Sequence, residues 1–392
     1  MTHYLDHAAT TPMLPRVVDA VADAMRHAGN ASSLHASGRA ARRAVEESRE
    51  RIAGALHCRP GEVVFTSGGT EADNLAIKGA WWARRAADPR RTSLLVSAIE
   101  HHAVLDPVQW LAEDERASVD YLGVDANGRV EVEAAKQRIT QSPEDIALIS
   151  VMWANNEVGT LQPIADLVAL AAEHALPLHT DAVQAIGQVP VDFEASGVDA
   201  LTLTGHKIGG PFGVGALVAR RDFAMHPLLH GGGQERDVRS GTLDVPGVVG
   251  FAVAVEEAVA DQARLADRLT ALRDQLVAGV LAEVPDAVYN GDPVDRLPGN
   301  AHLQFPGCEG DALLMLLDAR GVECSTGSAC NAGVPQPSHV LLAMGVSESD
   351  ARSSLRFTLG HTSTEADVEA LVAAIGPVVE RARAASNLGR TP

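Results

Sequence analysis

The chain has 392 residues, long for one hydrophobic core, so two or more domains are expected. Its formal net charge of −19 argues against nucleic acid or anionic membrane as the main partner and suits a partner with a basic face. No stretch resembles a transmembrane span, and Met1-Thr-His-Tyr-Leu-Asp6 lacks the charged start and apolar core of a signal peptide, so a cytoplasmic protein is expected.

Along the chain, short apolar runs alternate with longer helical patterns. Residues 62–66, 93–97, 146–152, 176–179 and 200–204 read as buried strands, and 71–85, 104–114 and 164–174 as helices between them. That alternation predicts an α/β fold with a mostly parallel sheet flanked by helices, whose strand ends gather polar residues in one crevice. Past 214–218 and the Gly231-Gly-Gly233 loop, a long helical stretch from 245 to about 282 breaks the rhythm and reads as a connector. A smaller α+β region follows, with short strands at 302–305, 322–325 and 354–357 and helices near 311–319 and 365–379. The tail 384–392 is expected to fray.

The strand ends carry the chemistry. Phe65-Thr-Ser-Gly-Gly-Thr70 passes from strand through glycines into a helix opened by Thr70 and Glu71, which would turn free N–H groups and a helix dipole toward the crevice as a phosphate cradle. An ordinary N-capped turn has the same sequence. Asp181 ends a buried strand, where an unpaired carboxylate is costly; a protonated ring nitrogen would answer it, and so would the N–H groups of a helix that it caps. Gln184 lies three residues on. His101 could stack on a planar cofactor and shuttle protons near neutral pH, or cap the next helix. Lys207 follows an apolar strand and precedes glycines, a setting that desolvates an amine, lowers its pKa and leaves it nucleophilic; a plain surface lysine is the alternative. Cradle, flat ring, buried acid and reactive amine, each at a different strand end, together describe a site for pyridoxal phosphate.

Ordered motifs extend that reading over nearly the whole chain. They are Tyr4-Leu-Asp-His-Ala-Ala-Thr-Thr-Pro12, Gly29-Asn-Ala-Ser-Ser-Leu-His35, Thr66-Ser-Gly-Gly-Thr-Glu71, Glu100-His-His-Ala-Val-Leu-Asp106, Asn155-Asn-Glu-Val-Gly159 and Asp181-Ala-Val-Gln184. Gly205-His-Lys207, Gly231-Gly-Gly-Gln-Glu-Arg236, Arg239-Ser-Gly-Thr242, Gly327-Ser-Ala-Cys330 and Ser354-Leu-Arg-Phe-Thr-Leu-Gly360 continue them. With these the chain resembles the cysteine desulfurases of the NifS/IscS type, within the aminotransferase-like fold type I pyridoxal phosphate enzymes. The resemblance implies a large cofactor-binding domain over 14–257 and a small domain from 1–13 and 258–392, with a catalytic cysteine loop at about 323–337.

Carried over by position, it implies that Lys207 is the Schiff-base lysine, that Asp181 faces the pyridinium nitrogen and Gln184 the ring hydroxyl, and that His101 stacks on the ring as acid or base. Gly69, Thr70, Thr204 and His206 match phosphate-binding positions, and Thr242 matches a residue lent to the neighbouring subunit's phosphate, which implies a homodimer. Asn156 and Arg356 match positions near the cofactor that hold the substrate carboxylate, a task that suits the planar fork of arginine. Four cysteines (Cys58, Cys308, Cys324, Cys330) are too sparse for a disulfide framework and show no CxxC spacing for zinc. Cys330 matches the family's nucleophile, among small residues that suit a mobile loop; Cys324 reads as a small core residue. No metal is expected. The implied reaction removes sulfur from L-cysteine, giving L-alanine and a persulfide on Cys330 that passes to an acceptor protein. Iron–sulfur cluster assembly, tRNA thiolation and DNA phosphorothioation all remain open as destinations. Selenocysteine lyase or another fold type I reaction is the nearest rival, and a noncatalytic scaffold the more distant one.

Overall fold

The computed structural model describes residues 2–327 and 336–388. The chain opens with β1 (His3–Tyr4), α1 (Pro15–Ala24) and α2 (Ala36–Leu56). It then alternates through β2 (Val63–Thr66), α3 (Gly69–Ala87), β3 (Ser93–Ser97), α4 (His102–Glu115), β4 (Ser118–Leu122), α5 (Val132–Gln141), β5 (Ile146–Ser150), α6 (Ile164–Glu173), β6 (Leu178–Asp181), α7 (Phe193–Ser196), β7 (Ala200–Thr204) and β8 (Gly215–Ala219). After the long α8 (Val245–Glu283) come β9 (Val288–Asn290), β10 (Asn300–Gln304), α9 (Gly310–Asp318), β11 (Val322–Glu323), α10 (His339–Ala343), α11 (Glu348–Ala351), β12 (Ser354–Thr358) and α12 (Glu365–Leu388).

β2 to β8 form one seven-stranded sheet in the order β2-β8-β7-β6-β5-β3-β4. Neighbours from β7 to β4 are parallel, and β8 is antiparallel to both β7 and β2. β2 therefore points the same way as β7, and the C-terminal ends of β2, β3, β5, β6 and β7 share one edge. β2, β3, β5, β6 and β7 are buried along their whole length, as an apolar run covered on both faces requires. The expected mostly parallel sheet flanked by helices is the one observed.

A three-stranded antiparallel sheet, β12-β10-β9, and the parallel pair β1-β11 make up the rest. α8 joins the two regions: Val248, Phe251 and Val255 pack into the core beside the large sheet, while Leu269, Leu272, Leu276 and Val280 pack under the small one. Burying such side chains contributes about 1.5–3 kcal/mol each, so this one helix is tied into both cores. The expected 257/258 division falls inside it.

Several boundaries differ from the sequence reading. The strand expected at 176–179 is Leu178–Asp181, which Asp181 ends as expected. The strand at 322–325 shrinks to Val322–Glu323, followed by an isolated bridge between Ser325 and Arg356. Of the tail expected to fray, 384–388 continue α12 as far as Leu388, and 389–392 lie outside the described residues.

Candidate active site

The strand ends line a cavity of about 410 Å³. It is walled by Gly69, Thr70 and Asp73 from α3, by His101 before α4, by Asp181 at the end of β6 and Gln184 after it, and by Thr204 at the end of β7 with His206 and Lys207 after it. Asn156 and Glu157 from the turn after β5, and Ser325, Gly327 and Arg356 from the small region, close the other side. Every cavity residue expected from the sequence among the described positions is therefore present, except Thr242. That residue is solvent-exposed and lies outside the cavity of its own chain. Its loop is fixed elsewhere: Arg239 pairs with Glu71 on α3 (2.8 Å), and buried Glu235 takes a two-pronged contact from Arg49 (2.7 and 2.8 Å). Cys330 lies outside the described residues.

Each side chain is held by local chemistry. Gly68, the residue before α3, has φ +152° and no side chain with which to cap the helix, so the first turn of α3 opens on the cavity without a competing acceptor from that residue. His101 does cap α4, its Nδ1 accepting from Ala103 N–H at 3.1 Å; the neutral ring then carries its proton on Nε2. Capping and a place in the cavity are thus compatible for this residue. Asp181 Oδ1 accepts from Val183 N–H (2.8 Å) in the turn that presents Gln184. Lys207 sits in the single helical turn Gly205–Lys207, and its Nζ donates to the carbonyls of Ala8 (2.6 Å) and Ala9 (2.7 Å). Gln184 donates to the same Ala8 carbonyl at 2.9 Å, so the N-terminal strap reaches the site through its backbone.

Burial sets the charges. It lowers the Lys207 amine to about 8, helped by the nearby Arg356 cation, and lowers His101 to about 4, helped by Lys207. Burial raises Asp181 to about 6 against the opposing pull of its Val183 contact and Lys207. Near neutral pH the ring of His101 is therefore neutral, and Lys207 releases its proton more easily than a free lysine does. Arg356 is buried, with Nη1 on the Asn156 carbonyl (2.9 Å) and Nη2 on Asp6 (2.9 Å), while its buried Nε has no partner among the described residues.

The family model for class-V aminotransferases matches residues 3–371. The IscS-like cysteine desulfurase of Mycobacterium tuberculosis is 59% identical over 385 residues, covering 98% of each chain. The chain belongs to the class-V aminotransferase family, among its cysteine desulfurases. A solved NifS-like protein superposes with a TM-score of 0.90 at 35% identity, covering 97% of this chain and all of that one. The solved structure of SspA in complex with cysteine gives 0.80 at 34% identity, covering 93% and 100%.

The cofactor of this cysteine desulfurase is pyridoxal phosphate, and the residues present fit it. A glycine-opened helix end suits a phosphate, and a desolvated carboxylate at the end of β6 suits a ring cation. A lysine with a lowered pKa suits an aldehyde, and the unpartnered guanidinium N–H suits a substrate carboxylate.

Sequence reasoning missed a second layer behind Asp181 in this desulfurase. Asp73 is 1% exposed, and its Oδ1 has no hydrogen bond and lies 3.6 Å from His179 Nε2. His179 bridges Ser150 Oγ (2.9 Å) and Thr202 Oγ1 (3.1 Å). Burial and the neighbouring Asp181 and Glu100 push Asp73 well above the usual carboxylate range. Two patterns could have found these residues: Asp73 is in phase with Ala76, Ile77 and Ala80 on the buried face of α3, and His179 shares the inward-facing phase of Asp181 on β6.

Proposed function

We propose that this cysteine desulfurase takes sulfur from L-cysteine with Lys207 as the lysine that binds the cofactor and moves the Cα proton, and with Cys330 as the nucleophile. The observation that carries the reading is the cavity itself: Lys207, Asp181 and His101 stand at separate strand ends, and Ser325 and Gly327, which lead into the Cys330 segment, open onto the same space. Pyridoxal phosphate, when bound, supplies an aldehyde for the amino group and a ring that accepts the electron pair left at Cα.

The chain's own groups do the remaining work. Gly69, Thr70, Thr204 and His206 hold the phosphate, Asp181 keeps the ring nitrogen protonated and Gln184 meets the ring hydroxyl. His101 stacks on the ring and serves as acid or base, as a neutral imidazole can near pH 7. Arg356 and Asn156 hold the substrate carboxylate, with Nε of Arg356 free to receive it. The Cys330 thiolate attacks the substrate sulfur, the Cβ–S bond breaks, and Cβ gains a proton. Thiol plus cysteine becomes persulfide plus alanine with no outside oxidant. The other three thiols suit this task poorly, because burial pushes Cys58 and Cys324 up to about 12 and raises Cys308 as well.

In this reading the functional unit is a homodimer, with exposed Thr242 reaching the phosphate of the other subunit, and the persulfide passes to a sulfur-acceptor protein. The chain divides into a large domain at 14–257 and a small one from 1–13 and 258–392. No helix among the described residues is long and apolar enough to cross a membrane, and we place the enzyme in the cytoplasm. The test is Cys330→Ala. It should keep its cofactor and its spectral response to cysteine yet acquire no extra sulfur by mass spectrometry; sulfur transfer at the wild-type rate would overturn the assignment.

A further inference from the structure

The described residues flanking the Cys330 segment lie near one buried side chain that the reaction above leaves unused, Glu157, and Ser338 is bonded to it. On the way in, Ser325 and Arg356 exchange backbone hydrogen bonds (2.7 and 3.2 Å), and Gly327 N–H bonds Ser325 Oγ at 3.0 Å. Gly327 has φ +84°, and a Cβ built there would lie 3.6 Å from Glu157 Oε2 and 3.5 Å from His302 Nε2. On the way out, Ser338 Oγ donates to the same Glu157 Oε2 at 2.5 Å while accepting from Leu341 N–H (3.1 Å) as the N-cap of α10. Glu157 is only 2% exposed.

Glu157 is itself well fixed. Its N–H donates to Asn155 Oδ1 (2.9 Å) and its carbonyl accepts from Asn300 Nδ2 (3.1 Å). The adjacent Asn156 carbonyl receives Nη1 of Arg356. His302, fully buried on β10, takes a hydrogen bond on Nδ1 from Asn290 Nδ2 (3.1 Å), so its neutral ring carries the proton on Nε2, and that N–H faces Gly327 without a partner among the described residues. Asn156 thus touches the arginine fork, and Glu157 bonds Ser338 after the thiol-bearing segment while lying near Gly327 before it.

We propose that Glu157 is a positioning residue that ties the exit end of the Cys330 segment, at Ser338, beside the Arg356 fork, whose backbone pairs with the entry end at Ser325, so that the turn gripping the substrate carboxylate also sets where the thiol is presented. The inference rests on Cys330 being the nucleophile. With Ser325 paired to Arg356 at one end and Ser338 bonded to Glu157 at the other, the segment is closed at both ends, which removes conformations that keep the thiol away from the substrate. The side chain acts through that restriction.

The test uses the full-length, cofactor-loaded protein and three variants, Glu157→Ala, Glu157→Gln and Ser338→Ala. Cofactor content, the spectral response to cysteine, and the single-turnover rate of sulfur appearance on Cys330 are read separately. Glu157→Ala should slow sulfur appearance by at least about tenfold, the scale of one lost hydrogen bond to a charged group, with cofactor content and cysteine affinity changed by less than about threefold. Glu157→Gln, whose amide oxygen still accepts from Ser338, should recover most of the rate, and Ser338→Ala should fall between them. Should Glu157→Ala fail to fold, the ordering of Glu157→Gln above Ser338→Ala carries the test. A full rate in Glu157→Ala, or equal losses in all three readouts with no rescue by Gln, overturns the inference. Cys330→Ala run in parallel separates the two claims: persulfide retained there overturns the Cys330 reading and this inference with it, whereas its loss there beside a full-rate Glu157→Ala overturns this inference alone.

Discussion

The sheet-side wall of the cavity takes its side chains from separate strand ends, whereas the facing wall is a lattice of charged and amide groups around Arg356. On the sheet side the backbone ladder fixes each position, so Lys207, His101 and Asp181 depend little on one another for their placement. On the facing side Arg356 leans on Asp6, the Asn156 carbonyl and Ser325, and losing one contact leaves another buried polar group unpaired. A substitution on the first wall should therefore delete a single chemical role, and one on the second should disturb several groups at once.

The largest effect expected on the sheet side is that of Lys207→Ala. The variant should lose the near-visible absorbance of the lysine-bound cofactor, and turnover should fall by at least about 10³-fold, since the proposed attachment amine and proton carrier are both removed. Thermal stability should change little, because Lys207 spends its hydrogen bonds on the Ala8 and Ala9 carbonyls of a strap anchored independently through β1 and Asp6. A large drop in melting temperature would show that the two walls are less independent than the geometry implies.

Across the cavity, Arg356→Lys keeps the charge but not the fork. It should raise KM for cysteine by about 10–100-fold, the scale of a lost charge-assisted hydrogen bond, while the cofactor absorbance persists. It should also weaken the Asp6 contact, and with it the strap, so that a fall in melting temperature accompanies the kinetic change. Steady-state kinetics and calorimetry on the same preparation check both halves of that expectation.

The sheet-side wall was legible in the sequence because apolar runs bounded by Gly, His or Asp mark strand ends, and a parallel sheet brings those ends together. β4 was missed because it is a sheet-edge strand exposed along much of its length, so Ser118–Leu122 shows no apolar run. α2 was missed because only a narrow stripe of its 21 residues is buried. The facing wall was legible only through motif resemblance: nothing in the spacing of Asp6, Glu157, Ser338 and Arg356 announces that they meet, since those contacts span up to 350 positions. Asp73 and His179 fall between these cases, visible as phase but silent as to partner.

Asp73 offers the smallest and most diagnostic effect, because it asks whether the layer behind Asp181 is neutral. Its carboxyl is fully buried beside Asp181 and Glu100, and both carboxylates raise its pKa along with burial, well above the value it has in the unfolded chain. The folded state therefore holds a proton on Asp73 at a pH where the unfolded state has released it, and stability falls as pH rises from about 4 until the folded-state group itself ionises. Asparagine imitates the neutral acid in shape and removes that dependence. Asp73→Asn should leave the melting temperature near wild type at pH 4 and raise it relative to wild type by pH 7.5, with the gap opening as pH climbs between the two. A variant destabilised at pH 7.5 would mean that Asp73 is ionised in the folded protein and answers a cation, which would make the two walls alike in their reliance on paired charge.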